Sequence, residues 1–155
     1  MSESDTLKTA TSGTQRWFRK NLLHRKDGPA VMVPDGSQSW WLMGHLHRVG
    51  GPAVTWANGQ QEWWVKGRRH REDGPAVIRA DGSEEWWLDG VLHREGAAAI
   101  IGLNGAQEWY QYGLKHREDG PAIITADGQE SWWLNGVEVN KNDVTMGMLQ
   151  APSMR

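Results

Sequence analysis

A His-Arg pair recurs at His24-Arg25, His47-Arg48, His70-Arg71, His93-Arg94 and His116-Arg117, spaced by 23 residues each time without a slip. A period of this length predicts a repeat array in which each unit buries its surface only against its neighbours. In the same frame an Asp-Gly or Asn-Gly pair sits at Asp35-Gly36, Asn58-Gly59, Asp81-Gly82, Asn104-Gly105 and Asp127-Gly128. Trp40, Trp63, Trp86, Trp109 and Trp132 follow each of these turns, and Gly44, Gly67, Gly90, Gly113 and Gly136 close each unit. The frame extends backwards, since Gly13, Trp17 and Phe18 align with Gly36, Trp40 and Trp41.

Short runs such as 29–33 and 37–42 lie between these marks and carry strand-forming residues. Asp-Gly or Asn-Gly between two such runs predicts a β-hairpin with a type I′ turn, which needs positive φ at both central residues. Gly28-Pro29, Gly51-Pro52, Gly74-Pro75 and Gly120-Pro121 then mark the reversals between hairpins. The expected fold is all-β: tandem hairpin repeats forming an extended or curled antiparallel sheet, with a short C-terminal capping helix. Residues 1–12 are expected to be a disordered tail, and 13–139 a repeat domain of half a repeat plus five 23-residue repeats. Residues 140–155 are expected to hold the cap helix and a tail, Asn140 serving as its N-cap.

Strand alternation divides the aromatic residues into two classes. The first Trp of each unit shares its face with Leu42, Val65, Leu88, Gln111 or Leu134, which reads as a core face. Ala30, Ala53, Ala76, Ala99 and Ala122, and Val31, Val54, Val77, Ile100 and Ile123, are placed with that core. The second aromatics, Trp41, Trp64, Trp87, Tyr110 and Trp133, share a face with Ser39, Glu62, Glu85, Glu108 and Ser131, and so line a wetter surface. That stripe either packs against Arg stems of adjacent repeats or meets a partner. With Arg25, Arg48, Arg71, Arg94 and Arg117 it forms the candidate binding set. Repeat four departs most from the pattern, with Ala97-Ala98, Gly102, Tyr110, Gln111 and Tyr112, and a local site or assembly contact would use that exception.

Composition narrows the function classes. A net charge of −2 over 155 residues provides no general basic field, so nucleic acid is a minority reading. Zero cysteines removes disulfides and thiol chemistry, which fits a reducing compartment. With no apolar leader and no apolar run of membrane-spanning length, the expectation is a protein free of membrane and located in a cytoplasm. Equivalent residues of successive hairpins lie ~10 Å apart, so neighbouring histidines of the ladder cannot share one metal ion. No phosphate loop, nucleophile elbow or zincin motif is present. The expectation is therefore no catalytic residues, no metal and no cofactor.

The motif His-Arg-Glu-Asp-Gly-Pro-Ala at 70–76, followed by Asp-Gly at 81–82, Trp-Trp at 86–87 and Gly90, resembles the hairpin-repeat arrays of bacteriophage and giant-virus proteins, which are distantly similar to MORN repeats. The resemblance covers about residues 13–139 and implies an antiparallel sheet and a viral origin, hence a host cytoplasm, but no activity. The paired aromatics are also similar to choline-binding repeats, in which aromatic cages hold a quaternary ammonium; those units are shorter and lack His-Arg. The leading functional expectation is a non-enzymatic binding or masking protein, a phage-type inhibitor that sequesters a host macromolecule, with a protein as partner. Two alternatives stand beside it: a sponge for a nucleotide or a cationic small ligand held by Trp and Arg, and a structural particle component. A homodimer joined at sheet edges is a further expectation.

Overall fold

The computed structural model describes residues 4–142 and 144. The architecture is all-β, built from one four-strand set used again and again. The first unit comprises β1 (Thr6–Thr9), β2 (Gln15–Arg19) and β3 (Leu22–Leu23). The second separates into β4 (Val31–Met32), β5 (Gln38–Ser39), β6 (Trp41–Leu42) and β7 (His45–Leu46). The same four strands return 23 residues on at Val54–Thr55, Gln61–Glu62, Trp64–Val65 and Arg68–Arg69, and the last unit closes at Val137–Val139.

Strands of the β4 and β5 type pair in chain order into one antiparallel ladder of thirteen strands, with β3 joined at the side of β2. Strands of the β6 and β7 type form small hairpins of their own beside it. Backbone bonds such as Gly44 N–H to Leu23 O (2.9 Å) and Arg25 N–H to Trp41 O (3.0 Å) link each small hairpin to the unit before. Every unit is thus tied to its neighbours twice, which suits hairpins too short to be stable alone.

Two turn types set the register, and the type I′ turn does not lie at the Asp-Gly or Asn-Gly pairs where it was expected. Asp35-Gly36 is not a type I′ turn. Gly36 has φ 95°, but Asp35 is not in the left-handed region. Gly36 N–H donates to Val33 O at 3.0 Å and Val33 N–H to Ser37 O at 2.9 Å. This is a type I turn with Pro34 and Asp35 at its centre and Gly36 as a bulge, a three-residue loop. The type I′ turn lies at Met43-Gly44, where φ is 47° and 81°, and recurs at Lys66, Asp89, Tyr112 and Asn135, each with its following glycine. Lys20-Asn21 takes the same form at φ 49° and 62°.

The consequence is a face correction. A two-residue loop at 35–36 would set Val31 opposite Trp40, whereas the three-residue loop sets Val31 opposite Ser39 and Met32 opposite Gln38. A one-residue shift of register moves every side chain to the other face. Val54 and Val77 both lie opposite Glu62, and Ile100 lies opposite Glu85 and Glu108. These apolar residues therefore share the face of the second aromatics, not that of the first Trp. The alanines keep the expected face: Ala30, Ala53, Ala76, Ala99 and Ala122 are 0% exposed, alternating across the ladder with the row Trp17, Trp40, Trp63, Trp86, Trp109 and Trp132. No aromatic of either class is fully buried.

Both ends differ from expectation as well. Within the tail expected to be disordered over 1–12, β1 pairs with β2 in full register from Thr6 opposite Phe18 to Thr9 opposite Gln15. The array thus opens with a whole hairpin rather than half a repeat. A C-terminal helix is not seen among the described residues, of which only Lys141, Asn142 and Val144 are helical; the remainder of the segment expected to form it lies outside them.

Candidate functional site

Each constant residue of the repeat has a structural partner. Along the first-Trp face, Arg25, Arg48, Arg71, Arg94 and Arg117 place their guanidinium carbons 3.7 to 4.2 Å from the ring centroids of Trp17, Trp40, Trp63, Trp86 and Trp109. Each also donates through Nη1 to the carbonyl four residues on, as Arg48 does to Pro52 O at 3.0 Å. In four of the five units the other side of the guanidinium faces the Gly-Pro glycine, Ala97 standing there beside Arg94: a Cβ at Gly74 would lie 2.8 Å from Arg71 Cζ. The arginine is a flat plate between an indole and a bare backbone, a use of planarity that lysine cannot match.

The histidines serve the type I′ turns. His24, His47, His70, His93 and His116 each accept at Nδ1 the N–H of the first turn residue 19 positions on, at 3.1 Å. The acceptor nitrogen must be unprotonated, which sets the tautomer with hydrogen on Nε2. His24 is 3% exposed, and burial, reinforced by the Arg19 charge, pulls its pKa below the usual 6.5. Its Nε2 finds no partner.

On the other face the second aromatics point their polar tips inward. Trp41 donates through Nε1 to Ser39 Oγ (2.7 Å), Trp64 to Glu62 Oε2 (2.9 Å), Trp87 to Glu85 Oε2 (2.8 Å) and Trp133 to Ser131 Oγ (3.0 Å). Tyr110 O–H donates to Glu108 Oε2 at 2.9 Å, and burial together with that carboxylate pushes its pKa up to about 12. Glu62 and Glu85 are themselves buried. Arg69 sits 5.2 Å from both the Trp64 and Trp87 rings and pairs with Glu62, while Arg79 pairs with Glu85. This stripe does pack against basic side chains of its own face. The candidate arginines do not join it: their guanidinium groups lie on the first-Trp face.

Two features escaped the sequence reading. The first is a row along the hairpin tips, where the residue after each turn packs on the next unit's turn glycine: Leu22 on Gly44, His45 on Gly67, Arg68 on Gly90, Val91 on Gly113 and Leu114 on Gly136. The row is exposed throughout, starts on an apolar residue at Leu22 (44% exposed), and is apolar without interruption in the last three units, with Val91 40%, Leu114 50% and Val137 62% exposed. Tyr112, 70% exposed, stacks on His93 beside it at 4.4 Å between centroids. The signal was the variability of the position after each closing glycine inside an otherwise regular frame. The second is a groove between successive units on the first-Trp face, floored by the first Trp and the residue two on, and walled by successive His-Arg segments.

Among the described residues no cluster of His, Asp and Glu could hold a metal ion, and no helix is long and apolar enough to cross a membrane. No family model matches the sequence, and no curated protein is significantly similar to it.

Proposed function

We propose that this chain is a non-enzymatic binding protein that masks a protein partner, and that the partner meets the hairpin tips of the last three units. The observation that carries this reading is the continuous open row Val91, Leu114 and Val137 with Tyr112 beside it. Contiguous exposed apolar surface on a chain otherwise so polar marks an interaction site, with the aromatic as its anchor. The constant His, Arg and Trp residues, by contrast, are engaged in holding the units together, which leaves the variable tips to carry specificity. The resemblance to viral hairpin arrays supports a phage-type inhibitor of a host protein as the setting.

The test compares capture from a bacterial lysate by the wild-type chain and by Tyr112→Ser with Leu114→Lys. A band retained by the first and lost by the second supports the reading; identical capture, or none, overturns it. Self-association is a second proposal, favoured by β1, whose four residues are all exposed and which pairs on one side only. Light scattering showing a monomer at all concentrations would overturn it.

A further inference from the structure

The inter-unit groove recurs with the same floor and different walls, so the repeats act as controls for one another. In the groove between the first and second His-Arg segments the cavity is about 520 Å³. Its floor is Trp40 and Leu42; its walls are Arg25 and Lys26 on one side and His47, Arg48 and Val49 on the other. No carboxylate lines it. The next groove, about 600 Å³, takes Glu72 and Asp73 into its wall, and the third, about 820 Å³, adds Glu84 and Glu95. The position after His-Arg supplies part of this difference, reading Lys26, Val49, Glu72, Glu95 and Glu118 along the chain; Asp73 and Glu84 supply the rest.

The arginines differ in the same sense. Arg71 and Arg117 are neutralised by Asp73 and Asp119 at 2.9 and 2.7 Å, and the pairing holds both carboxyls below the usual carboxylate range. Gly50 replaces that Asp beside Arg48, and among the described residues neither Arg25 nor Arg48 bonds a carboxylate; Asp27 follows Lys26 but does not line the cavity. The stacked guanidiniums are held rigid by their Trp and carbonyl partners, with Nε and Nη2 left to donate. Rigid, unpaired guanidinium groups around an aromatic floor suit a phosphate carrying a planar ring, and the volume lies within the ~300–1,000 Å³ of small-molecule sites.

We infer that the groove walled by Arg25, Lys26 and Arg48 over Trp40 binds a nucleoside phosphate, the phosphate between the cations and the base against Trp40 and Leu42. The site is separate from the hairpin tips, so each reading can fail without the other. Isothermal titration of the full chain with ADP, adenosine and inorganic phosphate tests it, beside the double variant Lys26→Glu, Val49→Glu. That variant gives this groove two of the four carboxylates that line the third one, and the chain already accommodates Glu at both equivalent positions, Glu72 and Glu95.

The expected result is one ADP bound per chain, weakened by rising salt, with adenosine and phosphate each binding at least about tenfold more weakly, and a loss of at least about tenfold for ADP in the variant. Absence of ADP binding, unchanged binding in the variant, or phosphate binding as tightly as ADP would overturn the assignment.

Discussion

The Arg94 guanidinium lies 3.7 Å from the Trp86 ring centroid while its Nη1 donates to the Ala98 carbonyl at 3.0 Å. One side chain thereby joins three parts of the array: Trp86 at the junction between strands Glu84–Glu85 and Trp87–Leu88, the loop after His93, and the start of the next unit. Equivalent contacts at Arg25, Arg48, Arg71 and Arg117 make this stack the repeated joint of the fold.

Replacing Arg94 tests that joint. A partly desolvated cation–π stack contributes ~0.5–2 kcal/mol and a charged hydrogen bond ~1.5–3 kcal/mol, discounted here because Arg94 is only partly buried. Arg94→Ala is expected to lower unfolding free energy by ~1–3 kcal/mol in urea titration. Arg94→Lys is expected to recover less than half of that, because an ammonium cannot lie flat on the ring while reaching the carbonyl. Full recovery by Lys would show that charge alone, not the plate, makes the contact.

Two glycines of one repeat should respond differently to a methyl group. Gly67 has φ 77° in a type I′ turn and packs against His45, so Gly67→Ala is expected to cost ~1–2 kcal/mol. Gly74 has no positive φ, and its crowding comes only from the far end of the Arg71 side chain. Ala97 already fills the equivalent slot with the Arg94 stack intact. Gly74→Ala is expected to cost less than ~1 kcal/mol. Thermal melts of the two variants check the order, and equal losses would refute it.

How far the fold could be read in advance is itself set by turn chemistry. Period, hairpins and sheet type were legible, because Asp-Gly at a fixed spacing between short strand-forming runs permits little else. The face of Val31 was not, because the turn at Asp35-Gly36 is a type I turn with Gly36 as a bulge, one residue longer than the two-residue loop and one step out in register, and it recurs where Ala57, Ala80, Leu103 or Ala126 stands in place of Pro34. β1 was missed because Thr6–Thr9 carries none of the repeat's constant residues. In the candidate set, Trp41, Trp64, Trp87, Tyr110 and Trp133 and the five arginines looked like one surface in sequence; alternation sends their working ends to opposite faces. The groove walls became visible only when units 23 residues apart were brought side by side.

Stability that comes from neighbours predicts tolerance to losing a whole unit. Removal of residues 75–97 joins Gly74 to Ala98 in repeat frame, so Arg71 faces Ala98 O instead of Pro75 O and the ladder closes again. The shortened chain is expected to fold cooperatively, keep its far-ultraviolet spectrum per residue, and show a urea m-value lower by about one sixth, in proportion to the surface exposed on unfolding. An unfolded product would show that the units are not interchangeable.

Acid should loosen the array at His24. Its Nδ1 accepts the Met43 N–H, and its pKa in the folded chain lies below the 6.5 of the unfolded one, through burial and then the Arg19 charge. The unfolded chain therefore binds the proton more readily, and stability falls with pH. The contribution of His24 is intact above about 6.5 and is lost as pH drops through that value towards the lower folded pKa. The carboxylates Asp73, Asp81, Asp119 and Asp127 have pKa values below 3.8, so their contributions disappear only in stronger acid. Urea midpoints at pH 7.5 and 5.0 are expected to fall more for the wild type than for His24→Gln, which is less stable at the higher pH but does not titrate. Parallel declines in the two proteins would place the acid sensitivity elsewhere.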